Sequence, residues 1–583
     1  MKENFFRYFS DIEEEFGETD FLRDLRDGTN YTYEETMERS LSLASYLEEN
    51  GVEKGDHVGI FMDNSPYWRI SDLAVQALGA VNVSRYTEDL EELEYILEDS
   101  DSKFLLHDDE LELDTGIKGL SRENMEEVFE RYNEYSREKA LKNSGLEDLN
   151  TIVYTSGTTS RPKGVELTHK NILSQVDMLE EEFKKGYLGE IDVDESDGLI
   201  SLVPEWHMYQ RTVENFVMSK GATFYFDSVR NFRTSSMYSE EINLIPGVPK
   251  LWMKVKKNID RELEKELGEK TVSNFLEDKN IPGSSLVGKT GLGNFSAHDL
   301  YEKLYPRAVE YVSGEERSLL NRLSYKMVKD TVGEKLRDEL GNNKLLMSGG
   351  SFLPGKVEEF FEVMGMPIVN GYGATETSPI ISIKNFMDEM YTIGKPVNGV
   401  EVRTNEDSVL EVRGPNVFRK YYGKHEKTEE SISEDGFYRT GDQVELTEKG
   451  NLRYVDRNDD VIVTSTGENV SPSKLETNIE SYFDEVKDTL VFDGADLGVE
   501  DEIVAVLVPD EEETNGFVRK FKESKSDYLS EIRSHFGERG FPSHEKIDDV
   551  FIYPENNIPK TSTMKKKRER FLEELESNSD LIG

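Results

Sequence analysis

The chain has 583 residues, more than one hydrophobic core usually organises, so at least two domains are expected. Its 70 Lys and Arg face 119 Asp and Glu, and the formal net charge of -49 disfavours nucleic acid and anionic lipid as partners. Because salt screens the self-repulsion of such a chain, the charge predicts adaptation to a salty cytoplasm. With no Cys in the sequence, disulfides, thiolate metal sites and cysteine nucleophiles are excluded, and a reducing, cytoplasmic setting fits.

The N-terminal segment predicts neither a signal peptide nor a membrane span. Charges interrupt residues 1–17 every few positions, and no 18 apolar residues follow one another anywhere in the sequence. Phe5, Phe6, Tyr8 and Phe9 could contact a membrane surface peripherally. Packing of an N-terminal helix on the protein's own core is the preferred interpretation.

Helical and strand patterns alternate along most of the chain, which predicts an α/β fold with mainly parallel sheets flanked by helices. The first patterns are helices at 32–50, 68–78 and 90–97 and strands at 57–62, 80–83 and 103–106. Strands then return at 198–203, 222–226, 242–245, 344–348 and 367–370. Between 254 and 343 the pattern is helical and charged, which indicates an elaboration of the large domain.

The C-terminal part predicts a change of architecture. From about residue 393 the chain shows short strands, at 401–403 and 409–413, typical of a small β-rich subdomain. Beyond Asp459, helices at 473–483 and 517–536 and strands at 490–492, 503–508 and 550–553 suffice for a separate small domain. We therefore expect a large domain at 1–458, with its β-rich subdomain at 393–458, a linker at 457–460, and a small mobile domain at 459–583.

The strongest local motif is YTSGTTSRPKG at 154–164, which follows a strand pattern and has the composition of a phosphate-binding loop. Hydroxyls and glycine amides can surround phosphate oxygens, and Lys163 can supply a point charge. The spacing from Gly157 to Lys163 does not match a Walker A loop, and Gly164 stands where that loop needs Ser or Thr. A surface turn rich in Ser and Thr is the alternative for such a loop taken alone.

Four further blocks follow in order: NGYGATET at 370–377, YRTGD at 438–442, VDRNDD at 455–460 with GENVSP at 467–472, and PKTSTMK at 559–565. Together with 154–164 they resemble the signatures of the adenylate-forming superfamily of acyl-CoA synthetases, adenylation domains and luciferases. Five blocks in one order make coincidence an improbable explanation. The resemblance implies an ATP-dependent, AMP-forming carboxylate ligase with ATP, Mg²⁺ and coenzyme A as its small-molecule ligands.

The resemblance also implies a role for each block. Tyr372 would stack on adenine, Asp442 and Arg457 would bind the ribose, and Thr375 would contact the α-phosphate. Glu376, a hard oxygen ligand, would hold Mg²⁺. The ligand-binding residues implied are Thr155, Ser156, Gly157, Thr158, Thr159, Lys163, Gly349, Gly350, Gly371, Tyr372, Gly373, Asp442, Arg457 and Gly467. Taken singly, an acid such as Glu376 or Asp442 is more often a surface carboxylate or half of an ion pair.

Lys565 is the residue expected to catalyse adenylation, because a carboxylate that attacks a phosphate needs a cation between the two negative groups. By resemblance, the small domain rotates about Asp459, withdrawing Lys565 and bringing Gly467 to a tunnel for the pantetheine thiol. The alternative is that the basic run 565–570 is a solvated patch. Met564 replaces the usual Gly of this motif, as a bulky residue does in long-chain fatty acyl-CoA synthetases.

Other segments point to the same subfamily. SLVPEWHMYQR at 201–211, NLIPGVPKLWMKV at 243–255 and MSGGSFLP at 347–354 resemble stretches that shape the acyl and adenine sites of long-chain enzymes. His207 would shape the acyl pocket, although a lone His is more often structural. Glu205 and Trp206 depart from the usual small residues, which leaves the preferred chain length open.

Three functions remain open at this point. The first is fatty acid activation, expected to be long-chain, with transfer to coenzyme A. The second is adenylation of another acid or transfer to the phosphopantetheine of a carrier protein, and the third is a catalytically idle protein that binds acyl chains or nucleotides. The presence of Lys163, Glu376, Asp442 and Lys565 favours an enzyme.

Overall fold

The computed structural model of the chain describes residues 2–85, 89–108, 116–133, 135–155, 161–185, 191–228, 231, 241–268, 297–341, 343–386, 388–458, 460–463, 469–483, 485–499, 503–509, 514–538, 541–542, 545–554, 558–560 and 566–577. Of the residues predicted to function, Ser156, Gly157, Thr158, Thr159, Asp459, Gly467 and Lys565 lie outside these ranges.

The described helices are α1 (Phe5–Phe16), α2 (Tyr33–Glu49), α3 (Pro66–Leu78), α4 (Leu90–Asp99), α5 (Met125–Arg131), α6 (Arg137–Ala140), α7 (His169–Lys184), α8 (Met208–Met218), α9 (Pro249–Gly268), α10 (Ala297–Ser313), α11 (Leu319–Leu340), α12 (Gly355–Val363), α13 (His425–Ser431), α14 (Pro472–Tyr482), α15 (Thr514–Glu538) and α16 (Arg568–Ser577). No described helix is long and apolar enough to cross a membrane.

The described strands are β1 (Asp20–Asp24), β2 (Asn30–Thr32), β3 (His57–Phe61), β4 (Val81–Ser84), β5 (Ser102–His107), β6 (Lys118–Ser121), β7 (Leu149–Thr155), β8 (Lys163–Thr168), β9 (Gly198–Ser201), β10 (Thr223–Phe226), β11 (Ile242–Gly247), β12 (Leu345–Ser348), β13 (Ile368–Gly373), β14 (Ile380–Lys384), β15 (Lys395–Pro396), β16 (Glu401–Thr404), β17 (Val409–Arg413), β18 (Lys420–Tyr421), β19 (Tyr438–Leu446), β20 (Leu452–Arg457), β21 (Ile462–Val463), β22 (Asn469–Val470), β23 (Val486–Asp493), β24 (Ile503–Pro509) and β25 (Asp549–Ile552).

Two large sheets contain most of these strands. One has nine strands in the order β15-β14-β13-β12-β11-β9-β10-β1-β2, and its six strands from β13 to β1 are parallel. The other has seven strands in the order β18-β8-β7-β4-β3-β5-β6, of which the five from β7 to β6 are parallel. The predicted α/β class with mainly parallel sheets is confirmed, and antiparallel strands extend the edges of both sheets.

The region predicted to be β-rich forms a four-stranded antiparallel sheet, β16-β17-β19-β20. Two short strands of the same region belong elsewhere: β15 completes the nine-stranded sheet, and β18 pairs with β8 of the seven-stranded sheet. Arg457, placed in the linker by the sequence, is the last residue of β20, because it pairs with Asp442 across the sheet.

Local sequence signals explain where the helices begin. Thr32 and Glu35 form a capping box at the start of α2, and Ser65 caps α3 with Pro66 in its first turn. Gly79, in the left-handed conformation, ends α3. These caps set the ends of helices whose apolar faces then pack on the sheets.

The N-terminal helix belongs to the core. Phe5, Phe6 and Phe9 of α1 have no exposed surface, and Tyr8 donates a hydrogen bond to the carbonyl of Asn215 at 2.7 Å. The interpretation that this helix packs on its own domain is therefore confirmed.

A buried ionic network joins α3 to α8. Arg69 pairs with Glu214, and Arg211 pairs with Asp72 at 2.6 Å, with all four side chains fully buried. Glu205 lies in the same network, 3.8 Å from Arg69. Burial raises the pKa of Glu205 well above its usual value, and repulsion from the nearby carboxylate of Glu214 adds to the increase. The Arg69–Glu214 and Arg211–Asp72 pairs both join α3 to α8, and separating the helices would leave these buried charges unpaired.

The residues after 460 have their own packing. β23, β24 and β25 form a three-stranded sheet, and one apolar cluster joins this sheet to α14 and α15. A second cluster, on β23, β24 and α16, includes Leu490, Val506 and Phe571. Every buried member of these two clusters follows residue 460.

Candidate active site

Three parallel neighbours of the nine-stranded sheet end at one edge, where the predicted site residues follow them. Gly247 at the end of β11 pairs with Ser348 at the end of β12, and Ser348 pairs with Asn370 in β13. The N–H of Gly349 donates to the carbonyl of Gly247 at 3.3 Å. A Cβ atom on Gly371 would lie 3.8 Å from the carbonyl oxygen of Ser348. The predicted glycines at 349, 350 and 371 are thus neighbours at the carboxyl edge of the sheet, where α/β proteins commonly bind ligands.

Gly373 allows a tight reversal after β13. A Cβ atom there would lie 1.7 Å from the carbonyl oxygen of Pro379, so only glycine fits. The N–H of Ala374 donates to the same oxygen at 3.0 Å, and a 3₁₀ turn, Thr375–Thr377, follows. The reversal places Thr375 and Glu376 directly beyond the strand end.

Tyr421 connects the phosphate loop to the predicted metal ligand. Its hydroxyl donates to Oε1 of Glu376 at 2.8 Å, and Nζ of Lys163 lies over its ring, 4.7 Å from the centroid. Thr155 and Lys163, which flank the loop, are partners in the β7–β8 hairpin. Burial and Glu376 raise the pKa of Tyr421, so it remains a protonated donor. The side chain of Tyr421 therefore contacts both the ammonium group of Lys163 and the carboxylate of Glu376.

Asp442 is held by both of its predicted neighbours. Its Oδ2 accepts from the hydroxyl of Tyr372 at 2.6 Å, and its Oδ1 accepts from Nη1 of Arg457 at 3.0 Å. Gly441 has a φ of 74°, and a Cβ atom there would approach Nη2 of Arg457 to 3.1 Å. Burial and Asp442 raise the pKa of Tyr372 well above its usual value. Each carboxylate oxygen has a second lone pair, so Asp442 can still accept hydrogen bonds from a diol.

His207 lies at the start of α8, where its Nδ1 accepts from the backbone N–H of Tyr209 at 3.2 Å. The ring of Tyr209 would be 3.0 Å from a Cβ atom on Gly349, so this helix start adjoins the glycine loop. Trp206 is buried, with the guanidinium of Arg85 5.3 Å from its ring centroid. Glu205 and Trp206, unexpected in the sequence, are thus interior side chains that anchor this end of α8.

Lys560 and Lys566, the described residues on either side of Lys565, have defined contacts. Lys560 and Lys566 form an isolated antiparallel bridge. Nζ of Lys566 donates to Glu476 at 2.8 Å, to Glu480 at 2.7 Å and to the carbonyl of Thr489 at 2.6 Å. Although burial acts to lower it, the pKa of Lys566 is raised by Glu476 and Glu480. Lys565 is therefore covalently attached to a residue with a fixed position.

A cleft of about 860 Å³ adjoins the Asp442 cluster. Phe352, Asn370 and Tyr454 line one side of it, and Ser471 and Lys474 line the other. The ring of Tyr454 is 6.3 Å from that of Tyr372, centroid to centroid. The cleft lies between the four-stranded sheet and α14, and it reaches Gln443 and Tyr454, which neighbour Asp442 in the chain and Tyr372 in space.

A magnesium ion fits the donors at this edge. Among the described residues no three His, Asp or Glu side chains gather as a metal cage. Glu376 offers a carboxylate there, with Oε1 oriented by Tyr421. Mg²⁺ commonly takes one or two protein carboxylates and completes its shell with water and substrate phosphates, so a single carboxylate is an adequate anchor.

Sequence reasoning missed the roles of Tyr421 and Tyr209. Both lie beside predicted residues in space; Tyr209 belongs to the block 201–211 but was given no role, and Tyr421 lies outside every quoted motif. Tyr421 follows Phe418 by three positions in a Gly-flanked aromatic run at 414–423, the one signal that could have drawn attention to it.

Two protein-family models match most of the chain. A family model described as "AMP-binding enzyme" matches residues 10–422, and a second, "AMP-binding enzyme C-terminal domain", matches residues 459–580. The long-chain-fatty-acid–[acyl-carrier-protein] ligase AEE15 of Arabidopsis thaliana is 27% identical in sequence to this chain. The alignment covers 94% of this chain and 82% of the length of AEE15. The long-chain-fatty-acid–CoA ligase FadD15 of Mycobacterium bovis is 29% identical, over 78% of this chain and 74% of its own.

Solved structures share the fold. The o-succinylbenzoate CoA synthetase MenE of Bacillus subtilis, in complex with an acyl-adenylate intermediate, superposes with a TM-score of 0.68. The match covers 97% of both chains at 20% identity.

Proposed function

Because this chain belongs to the AMP-binding enzyme family, we propose that it is an ATP-dependent, AMP-forming ligase that activates a fatty acid, expected to be long-chain, and transfers the acyl group to coenzyme A. The observation that carries the proposal is that Tyr421 contacts both Lys163 and Glu376, while Tyr372, four positions before Glu376 in the chain, donates a hydrogen bond to Asp442. The names of relatives such as FadD15 support the substrate class.

The chemistry assigns a task to each group. Tyr372 and Asp442 bind the nucleoside, while Lys163 and Thr375 contact the phosphates. The carboxylate oxygen of the acid attacks the α-phosphorus, and the bond to pyrophosphate breaks. Lys565 offsets the charge that builds up between the two anions. Mg²⁺, anchored by Glu376, would supply charge neutralisation of the polyphosphate.

In the second half-reaction the thiolate of coenzyme A attacks the acyl carbonyl carbon, and the bond to AMP breaks. We assign the residues after Asp459 to a small mobile domain, with Asp459 as its hinge and Gly467 lining the thiol tunnel. The separate apolar clusters after residue 460 support this division. If rotation about Asp459 is needed, Asp459→Pro leaves one half-reaction intact and abolishes the other; full overall turnover would exclude this hinge.

The deciding assay supplies purified protein with ATP, Mg²⁺ and a panel of acids from short to long chains. Pyrophosphate and AMP are quantified, and acyl-CoA is identified by mass spectrometry. Formation of AMP with acyl-CoA is the expected result. ADP as the nucleotide product would reject the proposal, and binding of ATP and acid without turnover would favour the idle binding protein.

A carrier protein is the second candidate acceptor, because AEE15 is named as an acyl-carrier-protein ligase and aligns over most of this chain. Replacing coenzyme A by a phosphopantetheinylated carrier protein in the same assay separates the two acceptors. Thioester on the carrier, with none on free coenzyme A, would replace the first candidate by the second.

We also propose a cytoplasmic, high-salt setting, which the absence of Cys and the net charge of -49 support. Screening of repulsion among the acidic side chains predicts that solubility and turnover increase with KCl concentration. Titration of KCl from dilute to molar concentrations measures both. A decrease of both at high salt would contradict the setting.

A further inference from the structure

One carboxylate, Asp488, binds two lysines from distant parts of the chain. Its Oδ1 accepts from Nζ of Lys250 at 3.0 Å, and its Oδ2 accepts from Nζ of Lys560. The side chain of Asp488 has no exposed surface, while that of Lys250 is 40% exposed. Lys250 belongs to α9 of the large domain, and Asp488 belongs to β23, so this ion pair crosses between the two proposed domains.

Each of the two lysines lies close in the chain to a different part of the proposed active site. Lys250 comes three residues after Gly247, whose carbonyl accepts from Gly349 at the site edge. Lys560 forms the bridge with Lys566, the residue that follows Lys565 in the chain. Asp488 therefore links Lys250, close to the site edge of the nine-stranded sheet, to Lys560, which lies five positions before Lys565 in the chain.

We propose that Lys250, through Asp488 and Lys560, is a positioning residue that holds the C-terminal domain in the arrangement in which Lys565 acts in adenylation. This inference rests on the proposed function. When the domain rotates for thioester formation, the Lys250–Asp488 pair breaks and the Lys560–Asp488 pair, internal to the C-terminal domain, remains.

The electrostatics suit a contact that must form and break in each cycle. Although burial acts to raise it, the pKa of Asp488 lies below its usual value because of Lys250 and Lys560. Burial lowers the pKa of Lys560 to about 8, and Lys250 adds to the decrease. The two ammonium groups repel each other across one carboxylate. Lys250 can therefore leave while Asp488 keeps a partner, which avoids an unpaired buried charge.

Lys250→Met tests the proposal by separating the half-reactions. Single-turnover formation of acyl-AMP without coenzyme A is expected to slow by up to about fivefold, because the variant loses one partly exposed ion pair that favours the pose for adenylation. Thioester formation from supplied acyl-AMP is expected to stay at the wild-type rate. Lys250→Arg should restore most of the adenylation rate. Lys254→Met, which removes an exposed charge from the same helix, is the matched control.

Equal loss of both half-reactions in Lys250→Met would indicate a merely structural lysine and would overturn the proposal. Unchanged rates in both would overturn it as well. If the wild-type protein forms no acyl-AMP, the proposed function fails, and the pose must be measured without turnover.

Energy transfer between two dyes measures the pose directly. The chain has no Cys, so Glu264→Cys and Arg519→Cys, at exposed positions of α9 and α15, give a specific labelling pair. In this doubly labelled protein, Lys250→Met is expected to shift the distribution of dye-to-dye distances away from the state that is most populated when Lys250 is present. A distribution identical to that of the protein with Lys250 would reject the positioning role, whatever the activity.

Discussion

Lys565→Ala is expected to reduce formation of acyl-AMP by roughly a thousandfold, while thioester synthesis from supplied acyl-AMP is preserved. The reason is that the attacking carboxylate and the α-phosphate repel each other, and this ammonium is the one proposed to lie between them. Its neighbour Lys566 is paired with Glu476 and Glu480, and these ion pairs do not involve the side chain of Lys565. Pyrophosphate release and acyl transfer, measured separately, check the result.

Lys567→Ala is the matched control, because it removes a lysine two positions further on from the same basic run. It should retain both half-reactions. Equal loss of both in Lys565→Ala would reject the assigned role, and an unchanged adenylation rate would show that Lys565 takes no part in adenylation.

The sequence predicts the local elements of this fold well because their signals are local. The strand pattern at 409–413 coincides with β17, and the pattern at 57–62 differs from β3 by one residue. Capping at Thr32 and Ser65 requires only neighbours in the chain. The order of the five motifs likewise needs no structure, and it predicts the family that the comparisons support.

What the sequence could not predict depends on contacts between distant segments. The pairing of β18 with β8 joins Lys420 to Glu166, and it is this pairing that carries Tyr421 to Lys163. The contact between Lys250 and Asp488 spans 238 positions. No periodicity or motif specifies such pairs, because a strand of two residues has no pattern of its own and a lone lysine has many possible partners.

The arrangement around Glu376 allows a second prediction of large effect. Glu376→Gln keeps the size of the side chain and an oxygen that can accept from Tyr421, but it removes the negative charge. We expect turnover to fall by roughly a hundredfold at limiting Mg²⁺, with partial recovery at high Mg²⁺, because an uncharged amide is a poorer ligand for a hard cation. Turnover measured against Mg²⁺ concentration at fixed ATP gives the result.

Two further variants isolate the cause of that effect. Tyr421→Phe removes the hydroxyl that orients Glu376 but leaves the carboxylate charge and the ring beneath Lys163, so its Mg²⁺ dependence should shift less than that of Glu376→Gln. Glu426→Gln, on exposed α13, removes one negative charge away from these contacts and should leave the dependence unchanged. If all three variants follow the wild-type Mg²⁺ curve, Glu376 is not a metal ligand. If Glu426→Gln shifts the curve as far as Glu376→Gln, the effect belongs to the overall charge of this acidic protein and not to a defined site.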